Sequence, residues 1–217
     1  MEKLIFPKIP FNEFKGVLLD IDNTIYHYEP CHKLALNSLL KELSKRINLP
    51  LERIKQEFLK ARKKVNKSLH GTASSHSRFL YIQLTLEKIL GFSDFYNTIK
   101  LEKLYWEIFL EKMELNVDAK KFILKCNEKN IPICCLTDLT AEIQFRKVLK
   151  LNLENYIKYI VTSEEVGVEK PNNKMFQKAL DKLNLNANQV IMIGDSMSKD
   201  ILGGESLEIK SFLVKST

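Results

Sequence analysis

In the stretch LLDIDNTIY, Asp20 and Asp22 stand one residue apart, directly after the apolar residues Val17, Leu18 and Leu19. Two carboxylates so close repel each other unless a cation or a shared proton lies between them. One reading is a helix N-terminus, with Asp or Asn as cap and Thr24 as a turn residue. The other is chemistry, and further polar residues support it. LTD ends in Thr137 and Asp138, Lys170 precedes Pro171 in SEEVGVEKPNNK, and GDSMSKD supplies Asp195, Ser196 and Asp200. A set of this kind suits hydrolysis of a phosphate monoester, which needs a nucleophile, charge neutralisation and a proton for the leaving oxygen. Asp20 can attack phosphorus and form an aspartyl-phosphate that water then hydrolyses. Asp22, about 6–7 Å further along an extended chain, can protonate the leaving group and later activate the water. Asp20 and Asp195, with a backbone carbonyl and waters, suit Mg2+, which prefers oxygen ligands and permits attack between like charges. Thr137 and Lys170 can hold phosphoryl oxygens, aided by N–H groups at the turn.

The elements that would position these residues follow from the alternation of apolar runs and amphipathic stretches. Residues 16–20, IPICCLT, YIKYIVTS, QVIMIGD and KSFLV read as strands. Helices are expected at about 117–129, 139–150, after Pro171, and at about 197–206. Strands alternating with helices predict an α/β fold, a Rossmann-like, doubly wound parallel sheet. Between about residues 30 and 114 the pattern is helical throughout. HKLALNSLLKELSKRI, LERIKQEFLKARKKVNKSL after Pro50, HSRFLYIQLTLEKIL closing at Gly91, and DFYNTIKLEKLYWEIFLEKM opening at Asp94 predict four helices in a bundle. The expected organisation is a catalytic core from 1–27 and 115–217, with an inserted all-helical cap at 28–114. In open α/β sheets ligands bind beyond the carboxyl ends of the strands. The acid pair, the Thr, the Lys and the second acid pair all fall at successive strand ends, an assortment that capping does not explain.

DIDNT, LTD, EKP and GDSMSKD, in this order, resemble the four motifs of the haloacid dehalogenase-like superfamily in its phosphatase branch, over essentially the whole chain. The resemblance implies a Rossmann-like core with a helical cap and a Mg2+-dependent phosphatase. It implies Asp20 as nucleophile and Asp22 as general acid/base, with Asp22 also lending Mg2+ its backbone carbonyl. Thr137, Asp138 and Lys170 match the phosphate-binding segment, Asp195 the metal ligand, and Asp200 a ligand or a supporting acid. Dehalogenase members lack an acid two residues after the nucleophile, so Asp22 speaks against carbon–halogen hydrolysis. One departure is GGESLEIKSF, where members often carry a glycine shortly before the last strand. A phosphomutase shares every core motif and is the alternative. A phospho-accepting receiver domain has adjacent acids and no helical insertion, and a non-catalytic binding protein on this fold would not need so complete a site.

Composition excludes several classes. With 45% hydrophobic and 28% charged residues the chain is ordinary globular material. No run of 18 apolar residues predicts a membrane span, and the N-terminal stretch lacks the apolar core of a signal peptide. Cys31, Cys126, Cys134 and Cys135 have no metal-ligand or CxxC spacing, so buried reduced thiols in the cytoplasm are expected. The formal charge of +7 favours an anionic partner. The run KARKKVNK, Lys60 to Lys67, has no interleaved aromatic and reads as a solvated helix face rather than a nucleic-acid site. Tyr105, Trp106 and Phe109 read as cap core. His27 and Tyr28 fall where a hinge into the cap would lie. His70, His76 and Arg78, in LHGTASSHSRF, are either an ordinary turn or a substrate-specificity loop. The expected partner is a small phosphorylated metabolite: a nucleotide, a sugar phosphate or a sugar-acid phosphate.

Overall fold

The computed structural model describes residues 4–216. They form two compact units, one from the chain up to Tyr28 together with that from Met113 on, the other Glu29–Lys112. In chain order the first unit opens with β1 (Leu4–Ile5) and β2 (Gly16–Leu19). The helices of the second unit are α1 (Tyr28–Ile47), α2 (Leu51–Ser68), α3 (Arg78–Leu90) and α4 (Phe95–Lys112). The first unit resumes with α5 (Val117–Glu128), β3 (Ile133–Thr137), α6 (Ala141–Lys150), β4 (Tyr159–Thr162), α7 (Ser163–Val166) and α8 (Asn173–Leu183). It closes with β5 (Val190–Gly194), α9 (Leu202–Glu205), β6 (Lys210–Leu213) and β7 (Lys215–Ser216).

Five strands make one parallel sheet in the order β4-β3-β2-β5-β6. The chain therefore winds outward from β2 through β3 and β4, then crosses back to β5 and β6. The direction of winding reverses between β2 and β5, the place where such sheets leave a crevice at their carboxyl ends. β2, β3 and β5 are buried along their whole length, as continuous apolar runs covered on both faces should be. On one face Leu18, Cys134, Leu136, Val161, Val190 and Met192 meet Met175, Phe176, Ala179, Leu180 and Leu183 of α8. Each large aliphatic or aromatic side chain buried there contributes about 1.5–3 kcal/mol. All four cysteines are buried, and none is in a disulfide.

In the helical unit α2 packs on α3 and α3 on α4. The α3 start is fixed by Ser77, whose Oγ accepts from Leu80 N–H, and its end by Gly91 at φ 82°. Asp94 caps α4 by accepting from Asn97 N–H at 3.0 Å. Tyr105 and Phe109 are fully buried and Trp106 nearly so, making mutual ring contacts at 5.0–5.9 Å. They are core, as their spacing predicts. On α2, Ala61 and Val65 are buried while Lys60, Arg62, Lys63, Lys64 and Lys67 face solvent.

The differences from expectation are local. β4 is shorter than YIKYIVTS, because the N–H groups of Tyr156 and Ile157 both turn back to the Leu153 carbonyl. α6 begins at Ala141 rather than at residue 139, because Leu139 takes φ 99°, which no helix continues. The segment at 197–206 opens as a π-helical turn, Met197–Ile201, before α9. The antiparallel pair β1–β7 had no alternating pattern to announce it. Where the sequence departs from a glycine before the last strand, Glu208 adopts φ 61°, a left-handed conformation that glycine occupies more easily.

Candidate active site

The site is assembled by the strand ends of the first unit. Asp20 follows the last residue of β2, and its N–H is held by the Ile193 carbonyl of β5 at 2.9 Å. Asp195 follows β5 on the other side of the winding reversal. Asp200 lies in the π-helical turn, where its Oδ2 accepts from Ser196 N–H at 3.0 Å. A π-turn adds a residue to a helical circuit, a device common at functional sites. Gly194 makes room for this: a Cβ there would lie 2.3 Å from the Asp200 carboxyl carbon. One carboxylate oxygen from each of Asp20, Asp195 and Asp200 comes within 4.8 Å of the others.

Lys170, almost fully buried, reaches this cluster from the loop between α7 and α8. Its Nζ donates to Asp20 Oδ1 at 2.7 Å, to Asp200 Oδ1 at 2.6 Å and to the Leu136 carbonyl at 3.0 Å. An ammonium has three hydrogens, so all three are directed at protein acceptors, and Lys170 here orients the nucleophile candidate as well as supplying charge. Asp20 Oδ2 accepts from Thr24 Oγ1 at 2.9 Å. Thr24 is thus a partner of Asp20 and not a turn residue alone. Burial raises the Asp20 pKa, Lys170 pulls it back, and the Asp200 and Asp195 carboxylates raise it again. Burial, and Asp200 beside it, push Asp195 up to about 6.

Three carboxylates facing one ammonium leave two negative charges uncompensated, the charge of one divalent cation. The donors are all oxygens, and burial together with the neighbouring carboxylates raises the pKa of two of them, a cost of ionisation that a bound cation would offset. Asp20, Asp195 and Asp200 therefore fit Mg2+.

Asp22 is held by a different set. Lys147 of α6, fully buried, donates to its Oδ1 at 2.6 Å and Oδ2 at 2.8 Å. The Tyr26 hydroxyl donates to Oδ1, and Gln144 Nε2 to Oδ2 at 3.2 Å. Burial alone would raise the Asp22 pKa, but Lys147, Tyr26 and Gln144 together hold it below the usual carboxylate range. Gln144 Nε2 also donates to Thr137 Oγ1 at 2.8 Å and to the Asp138 carbonyl at 2.7 Å. Asp138 itself accepts from the Lys170 backbone N–H at 3.0 Å and from Lys199 Nζ at 2.8 Å. Its carboxylate ties three loops together.

Asp20, Thr137, Asp138, Lys170, Asp195 and Asp200 are thus joined by direct bonds or close approach, with Asp22 linked to Thr137 through Gln144. His70, His76 and Arg78 belong to the helical unit. There His70 is exposed and His76 partly buried, while Arg78 is buried with its guanidinium 5.5 and 5.3 Å from the Tyr105 and Trp106 rings. It also donates to the His76 carbonyl. His32 Nδ1 lies 2.7 Å from the Tyr105 hydroxyl. His27 accepts from Leu4 N–H at 3.2 Å, and Tyr28 N–H donates to Asn23 Oδ1 at 3.0 Å. Sequence reading missed Tyr26, Gln144 and Lys147. The signal was present in α6, where two polar residues three apart sit among the apolar residues Ile143 and Val148 on the helix's buried side.

The fold and the strand-end carboxylates define a class that comparison with known proteins names. The sequence profile of the haloacid dehalogenase-like hydrolases matches residues 14–207. The chain is 33% identical over 199 residues to the ribulose-1,5-bisphosphate 5-phosphatase of Halopiger xanaduensis, covering 91% of this chain and 83% of that protein. It is 27% identical over 191 residues to a glyceraldehyde 3-phosphate phosphatase of Methanopyrus kandleri, covering 87% and 78%. The crystal structure of a 2-haloacid dehalogenase from Pseudomonas syringae matches with TM-score 0.70 and 20% identity, covering 92% of this chain, a likeness of fold. The chain belongs to the haloacid dehalogenase-like hydrolase family, on its phosphatase side. No helix among the described residues is long and apolar enough to cross a membrane.

Proposed function

We propose that this chain is a Mg2+-dependent phosphatase that hydrolyses a small phosphorylated sugar through an aspartyl-phosphate on Asp20. The observation that carries the reading is the division of labour between two aspartates one residue apart. Asp20 is bonded to Lys170 inside the Asp195–Asp200 cluster, while Asp22 is bonded to Lys147 outside it. One carboxylate is set among groups that suit a cation and a phosphoryl group; the other is kept as a separate proton-handling group.

In the first step an Asp20 carboxylate oxygen attacks phosphorus, the ester P–O bond breaks, and the leaving oxygen takes a proton passed through Asp22 from the Lys147 ammonium bonded to it. In the second, Asp22 takes a proton from water as the water oxygen attacks phosphorus, and the bond to Asp20 breaks to release phosphate. Lys170 and Thr24 each hold one Asp20 oxygen, fixing the direction of attack. Thr137, whose hydroxyl is braced by Gln144, would meet the phosphoryl oxygens. Mg2+, held by Asp20, Asp195 and Asp200 with the Asp22 carbonyl, would supply the charge that lets two anions meet. The phosphatases to which the chain is similar over most of its length are named for ribulose bisphosphate and glyceraldehyde 3-phosphate, which supports a sugar phosphate over a nucleotide.

Phosphate release from a panel of monoesters tests the proposal. The panel contains ribulose 1,5-bisphosphate, glyceraldehyde 3-phosphate, a nucleoside monophosphate and an aryl phosphate. A sugar phosphate should be turned over best, with activity lost in chelator and in Asp20→Asn. Full activity in either condition overturns the mechanism, and a preference for the nucleotide overturns the substrate class.

A further inference from the structure

This inference rests on the phosphatase reading and concerns how Asp22 is presented to the substrate. Each Asp22 oxygen has two donors: Lys147 and Tyr26 on Oδ1, Lys147 and Gln144 on Oδ2. A carboxylate offers about four acceptor positions, so all of them are filled. A group that is to meet a leaving oxygen must first give up a donor, and the four are not equal.

The Gln144 bond is the longest of those to Oδ2, at 3.2 Å against 2.8 Å for Lys147. Gln144 Nε2 has two hydrogens and three acceptors: Asp22, Thr137 Oγ1 and the Asp138 carbonyl. Releasing Asp22 still leaves both hydrogens bonded, so the exchange strands no buried donor. The amide orientation is set by those three acceptors, since its Oε1 is buried without a hydrogen-bond partner. Lys147 is different. It is a fully buried cation bonded to both Asp22 oxygens, and separating such a pair costs far more than breaking a neutral hydrogen bond.

We propose that Lys147 is the positioning residue of Asp22: it holds the carboxyl group through Oδ1 while Gln144 yields Oδ2, which takes up a proton from the Lys147 ammonium and faces the leaving-group oxygen, and Gln144 keeps its own hydrogens on Thr137 and Asp138. Neither residue belongs to the four motifs. Gln144 links release of Asp22 to a firmer hold on Thr137, so presentation of the proton-handling group and bracing of the phosphate side share one amide.

A double-mutant cycle on Lys147→Met and Asp22→Asn tests this, with phosphate release from a sugar phosphate and from an aryl phosphate. Lys147→Met should lower kcat on the sugar phosphate about 10- to 100-fold, with KM within about 2-fold and a smaller loss on the aryl ester, whose leaving oxygen hardly needs a proton. In the Asp22→Asn background the same change should cost nothing further, and Lys147→Arg should recover part of the lost kcat. If Lys147→Met fails to fold, Lys147→Gln, which keeps a donor, carries the same cycle. Additive losses, equal losses on both esters, or a rise in KM with kcat intact overturn the proposal. A wild-type protein that releases phosphate from neither ester defeats the phosphatase reading, and the proposal with it; an active wild type with an additive cycle defeats the positioning role alone.

Discussion

Replacing Asp195 by Asn should make the protein more stable without metal and much less active with it. Burial and the Asp200 carboxylate raise the Asp195 pKa from an unfolded value of about 3.9 to about 6. The sign follows from proton counting: between these values the folded state binds more protons than the unfolded one, so stability falls as pH rises through the window. Above about pH 6 the full penalty is present. Two units correspond to about 3 kcal/mol, and solvent screening of this partly exposed side chain reduces that to about 1–2 kcal/mol. Asn carries no charge and escapes the penalty. In urea with chelator at pH 7, the midpoint of Asp195→Asn should lie about 0.5 M above wild type for a chain of this size. The advantage should shrink toward pH 4, and Mg2+ should stabilise wild type more than the variant. A variant no more stable than wild type at pH 7, or an advantage unchanged at pH 4, would refute the view that burial and the Asp200 carboxylate make ionised Asp195 costly in the metal-free fold.

Three further outcomes follow from the geometry. Gly194→Ala places a methyl 2.3 Å from the Asp200 carboxyl carbon, so Asp200 must shift; Mg2+-dependent activity should fall at least about 10-fold, as metal titration of the variant would show. Asp22→Asn should cost about 10²–10⁴-fold on an ester with a poor leaving group and less on an aryl phosphate, measured as single-turnover phosphate release. In the helical unit, burial, Arg78 and Arg62 lower His32 to about 4 from about 6.5, so its contribution favours folding above pH 6.5 and is lost as pH falls from there toward 4. His32→Asn should flatten that part of the pH–stability curve, read from urea midpoints at pH 4.5 and 7.

The parallel sheet was legible because β2, β3 and β5 are buried on both faces and so read as unbroken apolar runs ending in polar residues. The four long helices were legible through their periodicity and through Gly91 and Asp94 at their ends. What escaped was whatever depends on tertiary partners. β1 and β7 are two-residue pieces joined by backbone bonds, with no side-chain pattern to betray them. Leu139 at φ 99° is a conformation that composition does not announce; its N–H donates to Ser163 Oγ at 2.8 Å and its side chain is buried. At the site, Asp20 and Asp195 stood out because charged residues directly after buried strands need a reason, and Lys170 stood out by its place before Pro171 in a polar stretch following β4. Gln144 and Lys147 did not, because a lysine on an amphipathic helix is ordinary until the fold shows which side it faces. Arg78, in the loop singled out for specificity, proves to be buried against Tyr105 and Trp106, a contact that sequence spacing across α3 and α4 could not reveal.

The central claim is that Asp20 carries the phosphoryl group, and acid-quenched labelling tests it most directly. The protein is mixed with Mg2+ and a sugar phosphate bearing ³²P, stopped within milliseconds, digested and mapped. The account predicts transient label on the peptide containing Asp20, discharged as phosphate on longer incubation and absent from Asp20→Asn. Label on any other residue, or undiminished turnover by Asp20→Asn, would contradict it.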